Sequence, residues 1–113
     1  MIQLALVDAQ LAATEVVYYA TDMYNIKIGR TISPRRRGGE LRVEMLHTIP
    51  GSQLEERRHH RMWAKYRIAK SEWFRPGDEL LLWLTVELVK DGRTRELGVL
   101  RQLILDSKRG AAA

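Results

Sequence analysis

Four groups of residues in this chain have types and spacings suited to joint chemistry. Tyr18 and Tyr19 are adjacent phenols. Lys27-Ile28-Gly29 sets an ammonium two residues before a glycine, Arg35-Arg36-Arg37 is a run of guanidiniums, and Glu56-x-x-x-His60 pairs a carboxylate with an imidazole. On a helix that last spacing puts both side chains on one face. His60 would then be placed to hydrogen-bond a phosphate or protonate a leaving group. A zinc pair is the weaker reading, because Zn²⁺ takes further protein ligands and no third one is evident. The plain alternative is that Glu55 and Glu56 pair with Arg58, His59 or His60 on an exposed helix face, worth a few tenths of a kcal/mol. A phenol of pKa near ~10 is a poor base at neutral pH unless cations or a metal lower it. Its plain alternative is a buried, hydrogen-bonded tyrosine.

The charge distribution says what such groups would act on. The chain carries 19 Lys and Arg against 14 Asp and Glu, a formal charge of +5. From Lys27 to Arg75 there are 13 basic and 5 acidic residues, whereas the rest of the chain holds 6 basic and 9 acidic. Fourteen of the cations are Arg, whose planar fork suits bidentate phosphate contacts. A basic stripe inside one domain favours a polyanion, nucleic acid first, over a merely solvated basic face. Arg30, Arg35, Arg36, Arg57, Arg61 and Arg67 are the candidates for backbone phosphate contacts, and DNA is the expected partner.

These residues must be positioned by elements legible in the pattern. Val16 to Thr21 is β-branched and aromatic, the composition of a strand. Asn25 to Gly29 alternates polar and apolar, and the short Asp22-Met23-Tyr24 connection predicts an antiparallel hairpin. Ser33-Pro34 reads as an N-cap with Pro at the first helical position, although Gly38-Gly39 weakens that helix by about 1 kcal/mol each. Leu41 through Ile49 reads as a third strand, with Leu41, Val43, Met45, His47 and Ile49 on one face. Ser52-Gln53-Leu54-Glu55 is a capping box, predicting a helix from Gln53 through Leu54, Arg58, Met62 and Tyr66 to about Ile68. Pro76-Gly77-Asp78 opens an apolar helix from Leu80 to Val89, and Thr94 to Ser107 reads as a terminal helix. The last residues, Gly110 to Ala113, read as a frayed tail. Residues 1–13 carry Ile2, Leu4, Leu6, Val7, Leu11 and Ala12 in a mixed period read as a short helix.

At 113 residues, 45% of them hydrophobic, one domain with its own core is expected. The absence of cysteine excludes disulfide and thiol chemistry and fits a reducing, cytoplasmic setting. The apolar runs fall far short of the ~18–20 residues a membrane span needs, and the first residues lack the basic n-region of a signal peptide.

In order, Val17-Tyr18-Tyr19, Lys27-Ile28-Gly29-Arg30-Thr31, Pro34-Arg35-Arg36-Arg37, Glu56-x-x-x-His60-x-x-Trp63, Arg67 and Glu72-Trp73-Phe74 resemble the GIY-YIG nuclease superfamily. The likeness is to the compact phage and mobile-element branch whose second signature reads Lys-Ile-Gly, and it covers about residues 16–83. The resemblance implies an α+β fold, a three-stranded antiparallel sheet flanked by helices, with extra C-terminal helices. Residues 1–15 would be an N-terminal helical extension and 84–113 a C-terminal one packed on the core. It further implies a DNA endonuclease or nickase using one Mg²⁺ or Mn²⁺ held by Glu56. Tyr18 would help deprotonate the attacking water, with nearby arginines and the ion lowering its pKa. Arg37, or Arg36 if the helix is shifted, would clamp the scissile phosphate. Glu72-Trp73-Phe74 would be architecture, Glu72 orienting Arg67.

The chain departs from the pattern in carrying Lys27 where the second signature has a tyrosine; an ammonium there would meet phosphate directly. The rival expectation is a catalytically inactive nucleic-acid-binding module of the same fold. A partner-binding accessory protein, using the apolar surface of the C-terminal helices, is a third. With no separate reading module, target choice would come from a homodimer or a targeting partner protein.

Overall fold

A computed structural model describes residues 15–112, with side chains as far as Arg109; the helix expected over residues 1–13 lies outside that range. The hairpin forms where the pattern puts it. Strand β1 (Val16–Thr21) pairs antiparallel with β2 (Ile26–Thr31), Tyr18 opposite Gly29 and Tyr19 opposite Ile28. Asp22 Oδ1 accepts the amides of Tyr24 and Asn25 at 2.9 and 2.8 Å and so builds the turn.

Helix α1 (Pro34–Leu41) follows and does not break at its glycines. A Cβ on Gly38 would sit 3.3 Å from Met45 Cγ, so that glycine lets α1 approach the sheet closely. Leu41 therefore ends α1 instead of opening a strand, and Arg42 reverses the chain with a left-handed φ of 54°. Strand β3 runs Glu44–Pro50 beside β1. The single apolar face expected from Leu41 to Ile49 does not survive, because the β1–β3 register shifts between Tyr19/His47 and Ala20/Met45. The extra residue, Leu46, is buried in the core alongside buried His47, as a β-bulge allows.

Helix α2 spans Gln53–Met62, stopping short of Ile68. Ser52 takes the N-cap position with no side-chain cap bond, and Glu55 bonds Arg58 instead at 2.9 Å. The chain leaves the helix because its next residues are needed elsewhere. Trp63 buries its ring, a 3₁₀ turn (Ala64–Tyr66) follows, and the Arg75 amide donates to Tyr66 O and the Ile68 amide to Trp73 O. That backbone pairing installs a short strand β4 (Trp73–Phe74) against Ile26 and Lys27. The sheet thus has four antiparallel strands in the order β3-β1-β2-β4, one more than expected. Two residues are too few to show a strand period in sequence.

Helices α3 (Asp78–Lys90) and α4 (Thr94–Ala112) cover one face of the sheet, and α4 continues into the expected frayed tail as far as Ala112. Leu80, Leu84 and Leu88 of α3 and Leu100 and Leu103 of α4 share one core with Val17, Tyr19, Ile26 and Ile28. A boundary between residues 83 and 84 falls inside α3. No helix among the described residues is long and apolar enough to cross a membrane.

Tyr19 brings a hydroxyl into this core and satisfies it fully. Trp63 Nε1–H donates to the Tyr19 oxygen at 2.9 Å, and the Tyr19 proton goes to His59 Nδ1 at 2.5 Å. Tyr19→Phe would leave a buried donor and a buried acceptor unpaired, so it should cost about 1–3 kcal/mol in urea unfolding. Burial also holds His59 and His47 below the ordinary histidine value of 6.5, with Glu55 and Asp91 respectively pulling the other way. The unfolded chain then takes up protons that the folded chain refuses. Stability should be fully present above about pH 6.5 and fall as pH drops below it, measured as urea midpoints from pH 8 to 5.

Candidate active site

The β1–β2 register decides which side chains meet. Strand alternation puts Tyr18, Gly29, Ala20 and Lys27 on the face opposite the α3–α4 core, and Tyr19 and Ile28 on the core face. Tyr18 lies flat across Gly29: a Cβ there would come within 2.5 Å of its hydroxyl and 2.7 Å of Cζ. The Tyr18 side chain is only 2% exposed, and its hydroxyl has no hydrogen-bond partner among the described residues.

Three further elements bring charge to that hydroxyl: Arg37 from α1, Glu56 from α2, and Glu72 just before β4. The two candidate arginines differ in pairing. Arg36 is tied to Glu40 within α1 at 2.9 Å, whereas Arg37 acts on Tyr18. Lys27 Nζ stands 3.4 Å from Glu72 Oε2 and 5.4 Å from the centre of the Trp73 ring. Glu72 therefore meets Lys27; Arg67 donates instead to the carbonyls of Ser71 (2.7 Å) and Lys70 (3.4 Å). Arg67 still lines a hollow of about 550 Å³ together with Glu56, Arg57, His60, Arg61, Lys70 and Glu72.

His60 has a different task from the one its spacing suggested. Its Nε2–H donates to the Ile28 carbonyl at 2.8 Å, beyond the reach of β4, and its ring packs 5.3 Å from Phe74. It fastens α2 to the open edge of β2, and this proton is already committed to the backbone. Three expected phosphate contacts lie away from the hollow: Arg36, on a small cleft with Arg37, Arg30 and Arg35. Arg30 stands opposite Val17, on the core face, and pairs with Glu15 at 3.1 Å. Arg35 lines a separate groove of about 630 Å³ between α1, β3 and the start of α4.

The electrostatics of Tyr18 run against the expectation for a base. Its phenol is pushed up to about 12, by burial first, then by Glu72; Arg37 opposes this and Glu56 adds to it. At neutral pH Tyr18 is a protonated hydrogen-bonding group. Sequence reasoning took Glu72 as architecture that orients Arg67 and did not place it beside Lys27. Its one signal was the isolated negative charge in a stretch dense with cations.

The chain matches no protein-family model, no curated protein and no solved structure. Its own geometry carries the functional reading.

The close approach of Tyr18 to Gly29 is testable. Gly29→Ala must displace the ring and should cost about 1–3 kcal/mol. Gly39→Ala, where an added Cβ meets nothing within 4 Å in a helix, should stabilise by about 0.5–1 kcal/mol. Chemical denaturation of the two variants compares them directly.

Proposed function

We propose that this chain is a metal-dependent phosphodiesterase acting on DNA, an endonuclease or nickase of the GIY-YIG kind, working in the cytoplasm. One observation carries the reading: Arg37, Glu56 and Glu72, from separate segments of the chain, act at a single buried phenol beside Lys27. Arg37 would hold the scissile phosphate through its fork. Tyr18, protonated at pH 7, orients the attacking water by a hydrogen bond and does not take its proton. Lys27 answers for the missing second phenol as a cation on the same sheet face. Arg57, Arg61 and Lys70 supply the backbone contacts around the hollow.

The donors present suit a hard divalent cation: carboxylate and phenol oxygens, with no cysteine in the chain. No group of three or more His, Asp or Glu converges among the described residues. Glu56 would hold a Mg²⁺ or Mn²⁺ that keeps most of its waters. Once bound, the ion supplies positive charge for the phosphate and the leaving oxygen.

The raised Tyr18 pKa favours a second reading, a nucleic-acid-binding module of this fold that does not cut. Both readings entail affinity that falls steeply with salt. Supercoiled plasmid with Mg²⁺ separates them. Nicking by the wild type should vanish with EDTA and with Glu56→Ala, and Arg37→Ala should slow it about 10²–10³-fold. Tight, salt-sensitive binding with an intact plasmid would overturn the enzyme in favour of the binding module.

A further inference from the structure

The two outer edges of the sheet are finished differently. The outer side of β4 is taken by the chain just beyond α2: the Ile68 amide donates to Trp73 O and the Arg75 amide to Tyr66 O, both at 2.8 Å. Strand β3 forms the other end of the sheet, and its ladder partner is β1 alone. Alternate residues of such a strand point N–H and C=O away from the sheet. From Glu44 to Ile49 those outward groups bond no other backbone group among the described residues. Val43 to Thr48 line the groove of about 630 Å³ that Arg35 also lines. Its walls rise on opposite faces of the sheet. On the Tyr18 face stands α1, whose Gly38 is pressed to Met45, the residue opposite Ala20; on the core face stands the α3–α4 turn with Asp91, Arg93 and Arg95. A slot between two walls takes one extended chain. It excludes the β3 edge of a second copy, which carries the same walls.

His47 is an independent sign. The residue is 8% exposed and lines the groove, yet its ring makes no hydrogen bond among the described residues; Asp91 Oδ2 stands 3.6 Å from Nδ1, beyond bonding distance. No fully buried side-chain nitrogen lacks a partner among the described residues, so the ring nitrogens reach solvent. A polar group on a buried side chain ordinarily finds a partner. Charge selects the kind of chain that would supply one. Glu44 is held by Arg95 at 3.3 Å and Asp91 stands against His47, while Glu96 lies in the first turn of α4, where the helix dipole favours it. Arg35 and Arg93, exposed on opposite walls, have no carboxylate partner among the described residues.

We propose that the β3 edge is a docking site for an extended acidic segment of a partner protein, which adds to the sheet as a fifth strand. Backbone bonds to β3 supply the affinity, as in other strand additions. Arg35 and Arg93 take carboxylates from the two faces of the segment, and His47 gives it a hydrogen bond. The groove is separate from the hollow that Glu56 lines, so the inference does not rest on the phosphodiesterase reading.

Amide NMR of the full chain, titrated with a capped octapeptide of Glu and Val that carries carboxylates on both of its faces, tests this. The wild type should bind it with a Kd of about 1 mM or tighter. Shifts should centre on β3, the start of α1 and the α3–α4 turn, and the outward amides of β3 should exchange more slowly. N-methylation of the peptide's backbone should abolish binding, because it removes the ladder and leaves the charges. Arg35→Glu combined with Arg93→Glu should weaken binding roughly tenfold and admit the peptide with Lys in place of Glu; circular dichroism confirms that the variant folds alike. No binding at about 1 mM, binding that survives N-methylation, shifts centred elsewhere, or unchanged affinity in the double variant would each overturn the proposal. So would slow exchange at the outward β3 amides of the free chain, which would mean that the first fourteen residues or a second copy already pair there.

Discussion

Two adjacent tyrosines on the central strand of a sheet must face opposite sides, and the rest of the molecule is arranged around that constraint. Tyr19 goes into the α3–α4 core, where Trp63 and His59 satisfy its hydroxyl. Tyr18 goes to the other face, where nothing among the described residues does. A one-residue slip of β1 against β2 would exchange them, taking Tyr19 away from Trp63 and His59 and setting Tyr18 in its place. The register is held from both faces: Gly29 leaves room for the Tyr18 ring, and Ile28 packs in the core opposite Tyr19. The α3–α4 core and the proposed site therefore depend on one strand pairing.

The edge of β2 shows how the short elements serve the site. Trp73 and Phe74 cover Ile26 and Lys27, the Glu72 carbonyl accepts the Ile28 amide at 2.9 Å, and His60 takes the Ile28 carbonyl. An otherwise open edge is closed by two residues of strand and one imidazole. The same closure delivers Glu72 to Lys27 and brings Glu56 round to Tyr18. Carboxylate placement at the hollow is in this sense a by-product of satisfying the backbone of β2.

Charge is sorted by pairing as much as by position. Arg30, Arg36 and Arg58 are engaged by Glu15, Glu40 and Glu55, exposed pairs that contribute little stability but take those cations partly out of play. Arg37 acts on the site, and Arg57 and Arg61 line the hollow. A run such as Arg35-Arg36-Arg37 thus divides three ways on one helix: one residue to a separate groove, one to an ion pair, one to the phenol.

Local composition determined the hairpin, the starts of α1, α2 and α3, the α+β class and the basic stretch, because strand propensity, Pro at a helix start and turn residues act within a few positions of one another. The Tyr18–Tyr19 division was legible for the same reason, since alternation is a property of any strand. What only the tertiary structure decided is long-range. The bulge that buries Leu46 depends on how β3 meets β1. The early end of α2 depends on Trp63 and β4, and the role of His60 depends on the open edge of β2. The meeting of Glu72 with Lys27 joins residues far apart in the chain. Helical spacing places Glu56 and His60 on one face, but it cannot say that the Ile28 carbonyl claims His60. Packing settles that, because a buried donor or carbonyl left unpaired costs more than any pattern within a single helix contributes.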